Sequence, residues 1–145
     1  MTHTDAAVTH NISLIRYAYE CLGAGDLDAC VDLLDENFIA NVPGRREPLH
    51  GRDPWRRAAE SIATAFPDLR YDIEDIFGAG DRVTVRLRLV GTHTGPFGDS
   101  PATHRPVEFT SIGIYRVSGN RIAEEWISPD RLWLVQQVSA GPDRP

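Results

Sequence analysis

The chain changes period at Phe66-Pro67-Asp68, and that change decides what it can fold into. N-terminal to it, Val8, Ile12, Ile15, Tyr19 and Leu22 mark one face of a helix over 5–22, stopped by Gly23 and Gly25. Asp26 caps a short second helix that carries Leu27, Cys30, Val31 and Leu34 inward. A strand-like stretch over 37–42 ends at Pro43-Gly44, and a polar loop over 45–51 follows. Asp53-Pro54 then predicts an N-cap with proline in the first helical position, opening a helix that buries Trp55, Ala58, Ala59, Ile62 and Phe66.

C-terminal to the break the period is two. Leu69, Tyr71 and Ile73 alternate with polar residues as far as the turn Gly78-Ala79-Gly80-Asp81. Val83, Val85, Leu87 and Leu89 then alternate with Arg82, Thr84, Arg86 and Arg88, a half-buried strand. Beyond a loop rich in Gly and Pro over 94–105, strands over about 106–117 and 121–128 flank Ser118-Gly119-Asn120. A last helix over roughly 129–138 carries Leu132, Val135 and Val138, and the tail 141–145 is expected to fray. Helices first and an antiparallel meander after them predict a single α+β domain over 1–145, ordered over about 5–138, with the helices on one face of a curved sheet.

The last hairpin can be set in register by hand. If Val117 pairs with Arg121 across a three-residue turn, Gly113 faces Glu125 and Ser111 faces Ile127. The odd-numbered face then holds Val107, Phe109, Ser111, Gly113 and Tyr115 beside Ala123, Glu125 and Ile127, with His93 ending the preceding strand. It is apolar and partly small, interrupted by one carboxylate and one imidazole. A sheet curled round it makes a pocket for an apolar or aromatic ligand. A slip of one residue would turn Glu125 to solvent. The even face mixes charges with Ile112, Ile114, Ile122 and Trp126, an apolar patch that a second copy of the chain would cover in a homodimer.

Composition removes whole classes of activity. The chain has 21 acidic and 15 basic residues, a net charge of −6, and no basic run, which argues against nucleic-acid binding. No apolar run approaches the roughly 18–20 residues that span a bilayer, and the N-terminus lacks a signal-peptide pattern, so a cytoplasmic location is expected. All 15 basic residues are arginine. Without lysine there is no Schiff base, no pyridoxal phosphate attachment and no phosphate-loop lysine. Cys21 and Cys30 form no redox or metal motif and read as buried filler. No dinucleotide fingerprint, zinc-hydrolase motif or serine elbow occurs, and His50, His93 and His104 lack ligand-like spacing, so neither cofactor nor metal is expected.

His50-Gly51-Arg52, Phe66-Pro67-Asp68-Leu69-Arg70, Gly80-Asp81-Arg82-Val83, Gly91-Thr92-His93-Thr94-Gly95 and Trp126 with Asp130 follow one another in a recognisable order. Together they resemble the SnoaL-like polyketide cyclases of the nuclear transport factor 2-like superfamily, from about Asn11 to Val138. The resemblance implies an α+β cone around a deep apolar pocket, usually dimeric, that closes a ring of an aromatic polyketide by aldol condensation without a cofactor. In that chemistry a pocket carboxylate takes a proton α to a carbonyl while hydrogen-bond donors hold the enolate. The family's general-base aspartate falls on Ile127, and its pocket His and Gln fall on Gly113 and Ser111, so this chain departs from the pattern. His93, Asp130 and, more loosely, Asn41 still match.

The candidate catalytic residues are therefore Glu125, His93 and Asp130, each with a plain alternative. Glu125 is either a displaced acid or base or an interface carboxylate beside Glu124. His93 is either an acid/base at the pocket mouth or part of a turn. Asp130 is a site residue or a helix cap. Asn41 binds a substrate oxygen or stabilises the turn before Pro43, and His50 and Asp68 read as loop hydrogen-bonders. Tyr17, Trp55, Phe66, Ser111, Tyr115 and Ile127 complete the expected substrate-binding wall. Three functions stay open: a proton-transfer enzyme of cyclase or isomerase type, an accessory hydroxylase or hydrolase, and a non-catalytic ligand-binding or assembly domain.

Overall fold

A computed structural model describes residues 3–139; the tail 141–145 lies outside the described residues. Helix α1 (His3–Gly23) and short α2 (Leu27–Asp32) lead into β1 (Leu34–Asn41), a two-residue β2 (Leu49–His50) and α3 (Arg52–Ala65). Four long strands follow, β3 (Arg70–Ala79), β4 (Arg82–Thr92), β5 (Pro106–Ser118) and β6 (Arg121–Pro129), before α4 (Arg131–Ser139). The strand order is β2-β1-β6-β5-β4-β3, antiparallel throughout except for the parallel β1–β6 pair. The result is the expected α+β fold: an open mixed sheet with helices on its concave face.

Local chemistry accounts for most boundaries. Asp26 caps α2 as expected, its carboxylate accepting from the Ala29 N–H at 3.1 Å. Helix α3 starts earlier than Asp53-Pro54 suggested: Gly51 is its N-cap at φ 90°, with no side-chain cap. Arg52, the first helical residue, turns back to donate from Nε and Nη2 to the Leu34 carbonyl at 3.0 and 2.7 Å, tying the helix to β1. The 45–51 loop is not wholly irregular, because Leu49 and His50 pair with Ala40 and Ile39 as β2.

The final hairpin differs from the hand register in two ways. Its turn has two residues, Gly119 and Asn120, both at positive φ (54° and 66°), so Ser118 pairs with Arg121 and Val117 with Ile122. A bulge at Ala123 then shifts the pairing, so that Arg116 faces Glu124, Tyr115 faces Glu125 and Gly113 faces Ile127. Ile122, placed on the outer face by simple alternation, is thereby turned into the core, while Glu125 remains inside. The core runs from Ile15 of α1 through Phe38 and Ala40 of β1 to Val83, Val85, Leu87 and Leu89 of β4 and Leu134 and Val138 of α4.

Candidate active site

Three tyrosines and one glutamate meet on the concave face. Tyr19 reaches it from α1, because Ile12, Ile15 and Tyr19 share the buried stripe of that helix. Its hydroxyl is hydrogen-bonded to that of Tyr115 on β5, with the rings edge-to-face at 6.2 Å. Tyr71 of β3 lies 6.1 Å from the Tyr19 ring. Glu125, only 6% exposed, stands opposite Tyr115. Among the described residues no hydrogen-bond donor serves its carboxylate. The Tyr115 ring lies back over Gly113: a Cβ there would meet its Oη and Cε2 at 3.3 Å and Ile127 Cγ2 at 3.5 Å. Glycine at 113 is what lets the phenol lie flat beside Glu125.

Burial sets the protonation states. Desolvation pushes the Glu125 carboxyl up to about 7, so it exchanges a proton near neutrality. Desolvation also raises the Tyr71 phenol to about 12 and the Tyr115 phenol well above its ordinary value. Tyr19 is raised chiefly by burial, its bond to Tyr115 acting the other way. The Glu125 charge adds to the rise at both Tyr19 and Tyr115. The phenols are therefore fixed as hydrogen-bond donors beside one adjustable carboxyl.

The other expected site residues do not join this group. His93 is fully buried against Phe66, their rings 5.6 Å apart, and its Nδ1 accepts from the Thr103 N–H at 3.3 Å and contacts Thr103 Oγ1 at 2.9 Å. It stands past the end of β4 remote from Val83, the residue level with Tyr115 and Glu125. There it anchors the 94–105 loop, its backbone bonded to Arg105 and His104. Phe66 packs on His93 and Phe97 as core, and Trp55 packs half-buried against the same core. Asp130 is exposed and caps α4 through the Trp133 N–H at 3.1 Å.

Tyr17 and Asn41 also lie apart from the tyrosine–glutamate group, although Asn41 lines a separate cleft beside Trp126 and Ile127. Tyr17 is 51% exposed: it lies across the helix from the stripe that carries Tyr19, so α1 cannot turn both inward. Asn41 lies on the convex face with its β6 partner Trp126, and its amide donates to Glu124 Oε2 and the Glu125 carbonyl, both at 3.0 Å. Asp68 does bond a loop backbone, accepting from the Thr92 N–H and hydroxyl at 2.8 Å each. Cys21 and Cys30 are buried free thiols. Among the described residues no cluster of three or more His, Cys, Asp or Glu could hold a metal, and no helix is long and apolar enough to cross a membrane.

Two clefts open near this group, one reaching Tyr19 and Tyr71 and the other Ile127, and neither is lined by Tyr115 or Glu125. The larger, about 620 Å³, is walled by Tyr19, Leu69 and Tyr71 and floored by Gly91 and Thr92. The smaller, about 260 Å³, opens beside Trp126 and Ile127. Ile127 is the next inward side chain after Glu125 on β6, and its Cγ2 and the Tyr115 hydroxyl lie on either side of the space above Gly113.

A model of the SnoaL-like polyketide cyclases matches residues 12–138. The chain belongs to that family. Solved relatives with the same fold include IdmH of Streptomyces antibioticus, named a "putative polyketide cyclase", which is 28% identical with a TM-score of 0.78 over 90% of this chain and 99% of that one. A "putative SnoaL-like polyketide cyclase" from Jannaschia sp. CCS1 is 21% identical with a TM-score of 0.87 over 98% of both chains. AclR of Streptomyces galilaeus, a "putative hydroxylase", is 20% identical with a TM-score of 0.84 over 95% and 86%. No curated protein matches the sequence. As a SnoaL-like protein the chain keeps the cone-shaped α+β fold. Sequence reasoning missed Tyr19 and Tyr71 as site residues, although the stripe through Ile12 and Ile15 and the alternation through Leu69 and Ile73 already turned both inward.

Proposed function

We propose that this chain is a cofactor-independent catalyst of proton transfer on an apolar, polyketide-like carbonyl compound, acting as a cyclase or isomerase. The observation that carries this reading is the buried Glu125 carboxyl beside the Tyr19–Tyr115 hydroxyl pair. Ionised Glu125 takes a proton from the carbon α to the carbonyl. The phenol of the pair whose proton is not engaged in the Tyr19–Tyr115 bond donates to the developing enolate oxygen, where a fixed dipole in a dry site is most effective. Protonated Glu125 then returns the proton to the product. Because a phenol of the pair supplies the donor, the carboxyl need only exchange its proton, and its value near 7 suits that task.

The test is turnover of a panel of aromatic polyketide intermediates, with product mass read alongside deuterium incorporation from heavy water. In light water wild type should give a product of unchanged mass; in heavy water an isomerisation should place solvent deuterium on carbon, whereas a ring closure places it only on exchangeable oxygen, and Glu125→Gln should lower turnover by 100-fold or more. Full turnover in Glu125→Gln, or a product heavier by one oxygen, defeats the reading.

The chain is also proposed to work as a homodimer. Phe77, Thr84, Ile114 and Trp126 form one cross-strand row on the convex face, with Ile112 beside it. Phe77 and Ile112 are 57% and 51% exposed, an apolar area suited to a second copy.

A further inference from the structure

The smaller cleft carries an unused pair of charges. Val42-Pro43-Gly44-Arg45 is a tight turn, closed by the Arg45 N–H donating to the Val42 carbonyl at 3.2 Å, with Gly44 at φ 84°. The turn sets Arg45 and Arg46 on the wall of the cleft, facing Trp126 and Ile127, with Pro43 and Pro48 on either side. Among the described residues neither guanidinium has a carboxylate or carbonyl partner, although the chain carries an acidic excess of six charges. Arg88 is occupied by Glu108, Arg116 by Glu124 and Arg52 by the Leu34 carbonyl. Two adjacent, unpaired guanidiniums at the rim of an apolar cleft form a receptor for one anionic group on a flat apolar body.

We infer that the cleft between the 42–48 turn and β6 binds the carboxylate end of an aromatic acid, with Arg45 and Arg46 holding the carboxylate and Pro43, Pro48 and Ile127 holding the ring at the edge of Trp126. The inference rests on the proposed function only in taking this ligand to be the substrate: a molecule anchored at Arg45 and Arg46 extends past Ile127 toward Tyr115 and Glu125. The substrate class is thereby narrowed to free acids, and neutral esters or amides of the same ring system are discriminated against.

The test uses 2-naphthoate and its neutral amide, 2-naphthamide, as probes of the full chain, with affinity read by calorimetry and by tryptophan fluorescence. Wild type should bind the acid at least tenfold more tightly than the amide, and that preference should shrink with added salt. In Arg45→Gln/Arg46→Gln it should fall to within about twofold, with the circular dichroism spectrum unchanged. Arg57→Gln, an exposed arginine of α3, should keep it, and Trp126→Phe should remove the fluorescence response where Trp133→Phe does not. Equal binding of acid and amide, failure to bind either, a preference surviving the double substitution, or one lost equally in Arg57→Gln overturns the proposal. Glu125→Gln should retain the acid preference in full, so loss of turnover there separates the role of Glu125 from the role of the arginines.

Discussion

Glu125 and Tyr115 are cross-strand partners on the concave face, the carboxyl buried and the phenol bonded onward to Tyr19. The arrangement has an energetic consequence. A carboxyl at about 7 in the fold and 4.5 in the unfolded chain binds more protons folded than unfolded between those values. The folded state is then unpenalised below pH 4.5 and loses stability as pH rises toward 7, by about 3 kcal/mol when the loss is complete. Glu125→Gln removes the ionisation. It should stabilise the protein by up to that amount at pH 8 and by little at pH 4. Urea midpoints at the two pH values measure it, and a variant no more stable at pH 8 than at pH 4, relative to wild type, contradicts the buried placement.

That placement was legible in the sequence for an instructive reason. Reading Val117 opposite Arg121 assumes a three-residue turn; the actual two-residue turn alone would have brought Glu124 opposite Tyr115 and left Glu125 outside. The bulge at Ala123 restores the parity, so two features invisible to simple alternation cancel. Where no such cancellation operates, as at Ile122, alternation gives the wrong face. Helical periodicity contained the contrast between Tyr19 and Tyr17, and the long apolar alternation of β4 fixed the concave face. His93 looked like a mouth residue because its flanking glycines mark a turn. Its burial depends on the 94–105 loop folding back over it, a long-range event that no local pattern carries.

Gly113→Ala tests the seat of the Tyr115 ring. The added methyl would stand 3.3 Å from the phenol oxygen, close enough that the ring must move by a few tenths of an ångström. Folding should change by less than about 1.5 kcal/mol, because the ring can tilt. Turnover should fall at least tenfold, because the hydroxyl pair loses its alignment with the developing oxyanion. Thermal unfolding beside steady-state kinetics decides it: a rate that tracks stability alone means that the hydroxyl pair has no catalytic role.

His93 should make the fold acid-sensitive. The Thr103 N–H donates to Nδ1, so the neutral ring carries its proton on Nε2, a buried atom with no partner. Burial, with the neighbouring His104 charge, holds His93 below its usual 6.5. As pH falls below about 6.5 the unfolded chain takes up a proton that the folded one refuses, so stability declines. His93→Gln keeps an acceptor for Thr103 and cannot titrate. The stability difference between variant and wild type, in which the contribution of Glu125 cancels, should shift in the variant's favour between pH 7 and pH 5. A constant difference across that range rules the effect out.

The convex face predicts its own oligomeric state. Ile112→Arg and Ile114→Arg place a cation in the apolar row at Trp126, where a second copy would have to desolvate it. Sedimentation should find wild type as a dimer and the double variant as a monomer of unchanged secondary structure. A monomeric wild type removes the proposal.

Ile127→Asp puts a carboxylate at the position where the sequence resemblance implies a general base. On β6 the new group would share the concave face with Glu125, two positions away and on the order of 7 Å along the strand. Two carboxylates this close in a dry site cannot both ionise freely, so the pair titrates in two steps, the first below the wild-type value and the second above it. The less buried Asp takes the first step, because position 127 borders the smaller cleft and meets solvent there. For a reaction that needs an ionised base, the wild-type rate rises with pH through about 7. In Ile127→Asp that rising limb should move to lower pH, with Glu125 held protonated as the acid partner. The substitution also replaces an aliphatic side chain that packs near Gly113 and Tyr115, so a loss of about 1–3 kcal/mol in stability is expected. A pH profile of kcat/KM from 5 to 9 reads the result. A limb that stays near 7 means that a carboxylate at position 127 does not reach the reacting carbon and that the base of this chain is Glu125 alone.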